Sequence, residues 1–184
     1  VKELTPHSPS ADLDVELLLA DVLGLTRAQL YSQKPDRMLL PAQQKMLKSL
    51  LWRRKAGEPV AYLLGRQEFW SISLEVTPAV LIPRPETELL VQHLLETITP
   101  DRHKIADLGT GSAAISVALA IARPDWQLVA TDYSRAALRV AERNVRYYKL
   151  KNIELRWGNW CQALLAGEKF AAIISNPPYL AGDD

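Results

Sequence analysis

The sequence predicts an α/β protein in which a doubly wound parallel sheet follows a small helical domain. From residue 104 onward, short apolar stretches of strand length alternate with helix-length segments, which is typical of parallel strands joined by right-handed crossovers. Residues 11–56 carry apolar side chains at helical spacing. Apolar and polar side chains alternate over residues 70–76 and a short apolar run follows at 80–82, which indicates a β-hairpin. We therefore expect a helical domain over 1–66, a hairpin linker over 67–83 and an α/β domain over 84–184.

The first 66 residues contain three predicted helices. Ser10 or Asp12 can cap the first helix, and Gly24 ends it. Residues 26–29 read Thr-Arg-Ala-Gln, which is the spacing of a capping box, and Pro41 suits the first turn of the third helix. We expect these helices to pack as a small bundle.

The third predicted helix ends in three cations, Arg53, Arg54 and Lys55, followed by Gly57. The helix dipole favours positive charge in a last turn, and glycine is common just beyond a helix. A contact with nucleic acid is the alternative interpretation of this cluster, and the sequence favours it less.

The hairpin is predicted from two short strand patterns. The alternation runs from Trp70 to Val76, a turn is expected at 77–79, and a second strand is expected at 80–82. Phe69 and Trp70 are expected to pack where the two domains join.

Residues 84–98 are predicted to form the first helix of the α/β domain, which Pro100 ends. Glu86 and Glu88 fall in its first turn, where the helix dipole favours carboxylates. The alternative is that Arg84 and Glu86 line the mouth of an active site.

Four strands and two further helices follow in alternation. The strands are predicted at 104–108, 127–131, 153–157 and 170–174, and the helices at 113–123 and 134–145. Ligands of doubly wound sheets bind beyond the carboxyl ends of the strands. Residues that follow these strands are therefore the candidate site residues.

Composition restricts the class of protein. Hydrophobic residues make up 48% of the chain and charged residues 23%, and the net charge is +1, so no strong field draws the chain to nucleic acid or a membrane. The single cysteine, Cys161, excludes a disulfide within the chain and favours a cytoplasmic protein. No apolar run approaches the roughly 20 residues that cross a bilayer. The three histidines are scattered, and we expect no metal site.

A glycine-rich loop follows the first strand of the α/β domain, with the sequence Asp-Leu-Gly-Thr-Gly-Ser-Ala at 107–113. Gly109 and Gly111 permit a tight turn and the close approach of a ligand, and the helix beyond offers free N–H groups. Asp132, just past the second strand, can accept hydrogen bonds from both hydroxyls of a ribose. The sequence thus predicts a nucleotide-like cofactor.

The glycines alone are a weak signal, because dehydrogenases also place glycines here, but two details favour S-adenosylmethionine over NAD. The motif has Ala113 and lacks the third glycine of a Gly-x-Gly-x-x-Gly pattern. Asp107 would repel a pyrophosphate but suits a cationic cofactor. Trp160, after the third strand, can flank an adenine ring, and the alternative is that it packs in the core.

The fourth strand ends in Asn-Pro-Pro-Tyr at 176–179. Two prolines stiffen the chain and remove N–H groups, so the Asn176 side chain and the Pro177 carbonyl are presented as acceptors, with the Tyr179 ring beside them. Such a site suits a planar NH₂ group. The alternative is a proline-rich turn that simply ends a strand.

Together these motifs resemble a class I (Rossmann-like) S-adenosylmethionine-dependent methyltransferase that acts on a planar nitrogen. The N-terminal half resembles the HemK/PrmC family at Gly-Glu-Pro-Val-Ala-Tyr (57–62), Gly65, Glu-Phe-Trp-Ser (68–71) and Leu-Ile-Pro-Arg-Pro-Glu-Thr-Glu (81–88). Members of that family N5-methylate the glutamine of the Gly-Gly-Gln motif in peptide chain release factors, which act in translation termination. The resemblance therefore implies this activity, release factors as partners and a helical domain that recognises the substrate.

The resemblance also implies site roles, carried over position by position. Cofactor contacts are expected at Asp107, Gly109, Thr110, Gly111, Asp132, Trp160 and Asn176. Substrate contacts are expected at Asn176, Pro177, Pro178 and Tyr179, and catalytic roles at Asn176, Pro177 and Tyr179. Methyl transfer would be direct and in line, with Asn176 and the Pro177 carbonyl each accepting one N–H of the acceptor amide.

Two positions depart from the family pattern. Ala113 stands where glycine is usual, which we expect to tighten the cofactor turn, and Asn159 stands where aspartate is common, which weakens a charge-assisted contact. The family's sheet has seven strands and four are predicted here, so we expect a C-terminally truncated domain with an open, apolar edge at its fourth strand.

Two other functions stay open at this point. A nucleic-acid methyltransferase acting on adenine N6 or guanine N2 would meet the same NH₂ geometry, although it would need a basic groove. The second open function is that of a module that binds a cofactor or docks a partner without catalysing a reaction. We expect a monomer without membrane or direct nucleic-acid partners.

Overall fold

The computed structural model describes residue 4 and residues 8–33 and 38–177. The chain divides into two compact units, Val1–Gly65 and Arg66–Asp184. Within the described ranges, no helix is both long enough and apolar enough to cross a bilayer.

The described part of the first unit is helical. Its helices are α1 (Ala11–Leu23), α2 (Arg27–Tyr31), α3 (Pro41–Lys55) and α4 (Val60–Leu64). Gly24 ends α1 in the left-handed conformation at φ 65°. Thr26 caps α2 in a complete capping box with Gln29, and Pro41 opens α3. The additional helix α4 is a single short turn of five residues, too brief to show a helical period in the sequence.

An ion pair connects α1 to α3. Arg54 Nε donates to Asp14 Oδ2 at 2.7 Å, and the Ser8 hydroxyl donates to the same oxygen at 2.7 Å. Burial opposes ionisation of Asp14, but these hydrogen bonds outweigh it and lower its pKa. Arg53 pairs with Glu58. Two of the three cations at the end of α3 therefore bind carboxylates of their own unit, which favours the structural interpretation of this cluster.

The second unit begins with an antiparallel hairpin, β1 (Arg66–Phe69) and β2 (Ile72–Glu75). Its turn is formed by Trp70 and Ser71, whose φ angles of 52° and 58° match the left-handed backbone of a two-residue hairpin turn. The predicted second strand at 80–82 is wrong, because these residues are irregular. The error arises because β1 reads Arg-Gln-Glu-Phe and carries only one buried side chain, so its strand pattern is weak.

A parallel sheet of four strands forms the centre of the second unit. The strands are β3 (Lys104–Leu108), β4 (Gln127–Asp132), β5 (Ile153–Trp157) and β6 (Ala172–Ser175), in the order β5-β4-β3-β6. The helices are α5 (Glu88–Thr97) before β3, α6 (Ala114–Ala122) between β3 and β4, and α7 (Arg135–Tyr147) between β4 and β5. The direction of winding reverses at β3, since β4 and β5 lie on one side of it and β6 on the other. The predicted α/β class is confirmed, and the reversal opens a crevice at the carboxyl ends of the strands.

The core of the second unit lies between the sheet and its helices. Seven consecutive residues of α6 are buried, which explains why this helix is apolar all round. Trp126, just before β4, is fully buried and Phe69 of the hairpin is 1% exposed. The hairpin therefore packs into the same core as the sheet.

Candidate functional site

A cavity of about 540 Å³ opens at the carboxyl ends of the parallel strands. Its wall is built from the loops that follow β3, β4, β5 and β6, together with residues 79–81. Five of the residues predicted as cofactor contacts line it: Gly109, Gly111, Asp132, Trp160 and Asn176. Its volume lies within the range of sites for small molecules and cofactors, roughly 300–1,000 Å³.

A smaller cavity of about 50 Å³ adjoins the larger one. Both walls contain Leu81, Gly109, Gly111 and Asn176, whereas Thr110 lines only the smaller cavity. Asn176 and the glycine-rich loop therefore stand where the two cavities meet.

The glycine-rich loop contains three left-handed residues, Gly109 at φ 72°, Gly111 at 58° and Ala113 at 64°. No atom lies within 4 Å of where a Cβ would stand on either glycine, so the backbone there is open to a ligand. For Ala113 the left-handed conformation costs about 1–2 kcal/mol. Its methyl group is fully buried and lines neither cavity. The departure from glycine at this position therefore strains the backbone and leaves the cavity unchanged.

Asp107 lies beneath this loop and outside both cavity walls. The residue is 1% exposed, and its Oδ2 accepts hydrogen bonds from Thr110 Oγ1 at 2.6 Å and Ser116 Oγ at 2.7 Å. Burial raises the pKa of Asp107, and the two hydroxyls offset part of that rise. The structure thus gives this carboxylate a supporting position under the loop, where it differs from the direct cofactor contact that the sequence predicted.

Asp132, the last residue of β4, joins the glycine-rich loop to the start of α7. Its Oδ2 accepts the Gly111 N–H at 2.9 Å and its Oδ1 accepts the Ser134 N–H at 2.8 Å. A carboxylate oxygen can accept more than one hydrogen bond. Both oxygens therefore keep acceptor capacity for hydroxyl groups in the larger cavity.

Aromatic side chains lie along the larger cavity. Trp160 lines it and is 48% exposed, so it is not a core residue. Tyr133 also lines it, and its ring stacks on Trp157 with 6.4 Å between centroids. The Trp157 indole N–H donates to the Tyr133 carbonyl at 2.8 Å, and the Arg135 guanidinium lies 4.2 Å from the Trp157 ring centroid. Sequence reasoning missed Tyr133, although it directly follows the acidic residue that the sequence singled out.

Asn176 follows β6, and a distant segment holds its side chain. Nδ2 donates to Thr87 Oγ1 at 3.0 Å. Thr87 is 8% exposed, ends the short 3-10 turn Pro85–Thr87 and lines the smaller cavity. The Ser175 hydroxyl donates to the Leu108 carbonyl at 2.7 Å, which fixes the end of β6 against β3. Because Nδ2 faces Thr87, Oδ1 is the end of the Asn176 amide that stays available.

Three further predicted residues that the structure describes lie outside the two cavity walls. Arg84 and Glu86 are exposed and line neither cavity, and Pro177 is exposed as well. Pro178 and Tyr179 lie outside the described residues. In the part of the chain that the structure describes, no group of three or more His, Cys, Asp or Glu side chains could hold a metal ion.

Two family models match the chain. The model of the PrmC N-terminal domain matches residues 1–65, and the model of the methyltransferase small domain matches residues 85–184. The second match alone covers more than half of the sequence. The boundary between the two matched regions falls in the hairpin and the irregular segment after it.

Curated relatives carry the name release factor glutamine methyltransferase. The relative from Coxiella burnetii is 48% identical over 184 residues, which is 100% of this chain and 66% of the relative. The relative from Pseudomonas aeruginosa is 46% identical over 179 residues, 97% of this chain and 64% of the relative. The relative from Escherichia coli is 44% identical over 177 residues, 96% of this chain and 63% of the relative. The chain thus spans a little less than two thirds of the length of these relatives.

Solved structures of methyltransferases are similar to parts of the chain. The Pyrococcus abyssi tRNA (uracil-54, C5)-methyltransferase in complex with S-adenosyl-L-homocysteine has a TM-score of 0.49 at 19% identity, covering 61% of this chain and 28% of that one. The precorrin-6y C5,15-methyltransferase from Geobacter metallireducens has a TM-score of 0.40 at 18% identity, covering 46% and 44%.

Proposed function

The chain belongs to the HemK/PrmC methyltransferase family, and from this premise we propose that it transfers a methyl group from S-adenosylmethionine to a glutamine of peptide chain release factors. The acceptor atom is the side-chain amide nitrogen (N5) of the glutamine in the Gly-Gly-Gln motif. The observation that carries the proposal for this chain is the position of Asn176, which lines both cavities at their junction with the glycine-rich loop.

The larger cavity fits S-adenosylmethionine in its volume and in the groups that line it. Asp132 offers carboxylate oxygens to ribose hydroxyls, and the open backbone at Gly109 and Gly111 admits a ligand. Trp160 and Tyr133 offer aromatic faces to an adenine ring. When bound, S-adenosylmethionine supplies an electrophilic methyl group on a sulfonium centre. Asp107 under the loop supports it through the Thr110 hydroxyl.

Asn176 and Pro177 hold the acceptor amide in this proposal. An amide nitrogen is a weak nucleophile because its lone pair is delocalised into the carbonyl. Asn176 Oδ1 and the Pro177 carbonyl would each accept one N–H, which orients the nitrogen and stabilises the positive charge that develops on it. The N–CH₃ bond would form as the S–CH₃ bond breaks, which leaves S-adenosylhomocysteine. The methylated nitrogen would then release one of its protons to solvent, so no strong general base is needed. Pro178 and Tyr179 complete the Asn-Pro-Pro-Tyr motif, and we assign them to the substrate contact.

We further propose that the helical residues 1–66 recognise the release factor and that the protein acts as a monomer in the cytoplasm. Supporting observations are the separate helical unit Val1–Gly65 and the match of residues 1–65 to the PrmC N-terminal domain. The single cysteine is exposed and free, which suits a reducing compartment.

The experiment measures methyl transfer from labelled S-adenosylmethionine by the full-length protein to three acceptors. These are a release factor, the same factor with the glutamine of its Gly-Gly-Gln motif changed to alanine, and duplex DNA, whose exocyclic amines present the same NH₂ group. Label on the unaltered factor alone supports the proposal. Label on DNA, or equal label on the altered factor, would refute it.

The Asn176→Ala variant tests the site itself. It removes the acceptor that orients the amide, and we expect turnover to fall by about 100-fold or more. Gln92→Ala is the control, because it removes an exposed amide on α5 away from both cavities. Near-normal turnover in the Asn176 variant would contradict the assignment.

A further inference from the structure

The contact between Thr87 and Asn176 joins two segments that are 89 residues apart in the sequence. Thr87 belongs to the turn that leads into α5, and Asn176 follows β6. Both line the smaller cavity, and Thr87 is 8% exposed. The hydrogen bond is therefore part of the cavity wall, at the end of the Asn176 side chain that the proposed reaction does not use.

We propose that Thr87 is a positioning residue, which binds the Nδ2 end of the Asn176 amide and so leaves Oδ1 as the end presented to the acceptor. This inference rests on the proposed function. An asparagine amide has a donor end and an acceptor end, and only the acceptor end can bind the NH₂ group of a substrate. If the amide turned over, its own NH₂ group would face that of the substrate and no hydrogen bond could form.

The hydroxyl of Thr87 can hold the Nδ2 end of the Asn176 amide because its oxygen can accept an N–H. In the structure it accepts at 3.0 Å, within the ordinary range for an N–H···O bond. Without the hydroxyl, the partly buried Nδ2 group would lose its partner on that side, and this contact would no longer favour the observed orientation of the amide. Thr87 thus acts on the acceptor through Asn176, and is not assigned a contact with the substrate.

The segment that carries Thr87 is itself fixed. The Thr87 N–H donates to the Arg84 carbonyl at 3.0 Å, closing the turn. The next residue, Glu88, accepts the Trp70 N–H on its Oε1 at 2.9 Å. Hydrogen bonds within the turn and from the hairpin therefore fix the backbone that carries the Thr87 hydroxyl, and a positioning residue requires such support.

The test compares Thr87→Val, which keeps the volume and removes the hydroxyl, with Thr87→Ser, which keeps the hydroxyl. We expect Thr87→Val to lower kcat by about tenfold, the factor that corresponds to one ordinary hydrogen bond. KM for the release factor should change by less than about twofold, because Thr87 is not assigned a contact with it. Thr87→Ser should retain kcat within about threefold. Equal losses in the two variants, or no loss in Thr87→Val, would overturn the proposal.

A double-mutant comparison shows whether Thr87 acts through Asn176. In the Asn176→Ala background, Thr87→Val should change kcat by less than about twofold, because the group that it positions is already gone. A merely structural role of Thr87 predicts the same loss in both backgrounds, and that result would refute the inference.

A spectroscopic measurement separates this proposal from the proposed function. In ¹⁵N-labelled protein, hydrogen exchange of the Asn176 side-chain NH₂ group should be slow and should accelerate by about fivefold or more in Thr87→Val, with Thr87→Ser close to wild type. If no acceptor is methylated by the wild type, the proposed function fails while this measurement still reports the contact. Unchanged exchange in Thr87→Val would refute the contact whatever the activity.

Discussion

Replacing Asn144 by alanine should destabilise the second unit more than any exposed substitution on the same helix. Asn144 lies on α7 and is 2% exposed. Its Oδ1 accepts the Glu75 N–H at 2.7 Å, and its Nδ2 donates to the Glu75 carbonyl at 3.0 Å and the Ser112 carbonyl at 2.9 Å. One side chain thus connects α7 to β2 and to the glycine-rich loop.

The expected loss follows from these three hydrogen bonds. Each contributes about 0.5–1.5 kcal/mol to stability, so together they amount to about 3 kcal/mol. The Ser112 carbonyl would lose its partner in a buried site, and the Glu75 backbone groups would lose theirs in a partly buried one, so we take the middle of the range and not its lower end. For a unit of this size, about 3 kcal/mol lowers the unfolding midpoint by about 10 °C.

The assay is urea unfolding of the full-length protein, followed by near-UV circular dichroism and by a thermal scan. Arg146→Ala is the matched control on α7, because its ion pair with Glu142 is exposed, with the two side chains 77% and 49% accessible. An exposed pair of residues four apart on a helix contributes about 0.3–0.5 kcal/mol. A loss in Asn144→Ala no larger than that of the control would refute the reasoning.

Two further predictions concern Gly158 and Glu168. A Cβ on Gly158 would lie 2.7 Å from the Ala163 Cβ, and 3.1 and 3.2 Å from the Ala163 Cα and backbone nitrogen. Gly158→Ala should therefore lower the free energy of unfolding by about 1–3 kcal/mol, and an unchanged free energy of unfolding would contradict the clash. Hydrogen bonds from Arg156 and Lys104 hold the pKa of Glu168 well below its usual range. Since the folded-state pKa is the lower one, this stabilisation is complete above about pH 4.3 and is lost as pH falls below it. Glu168→Gln should therefore flatten the pH dependence of the unfolding midpoint between about pH 5 and 3, and an unchanged slope would contradict this.

The sheet could be predicted from the sequence because its signals are local. The strand at 104–108 and the strand at 153–157 fall at the predicted residues. The first is central and almost wholly buried, whereas the second is an edge strand in which apolar residues alternate with Glu154 and Arg156. The positions of the site residues at strand ends followed from the same pattern. Asp132 and Asn176 line the larger cavity because both directly end or follow strands of one parallel sheet.

The contacts between distant segments could not be predicted in this way. Nothing local distinguishes Thr87 from any threonine near a helix start, and its partner Asn176 comes 89 residues later. Asn144 looks like an ordinary polar residue of an amphipathic helix until β2 is placed beside it. The hairpin turn was misplaced for a related reason, since Trp70 and Ser71 are not typical residues for left-handed backbone. Tertiary packing determines the Thr87–Asn176 contact, the contacts of Asn144 and the position of the hairpin turn, and a local sequence pattern does not contain that information.

The hairpin is connected by hydrogen bonds to both halves of the site, the glycine-rich loop and the segment that holds Asn176. From β2, the Glu75 backbone reaches Ser112 of the glycine-rich loop through Asn144. From the turn, the Trp70 N–H fixes Glu88, whose neighbour Thr87 holds Asn176. The glycine-rich loop and the proposed acceptor-binding asparagine are thus both connected to the hairpin by hydrogen bonds, although they follow different strands. Since methyl transfer requires donor and acceptor in line, a change in the hairpin far from either cavity should reduce turnover by misaligning the two halves.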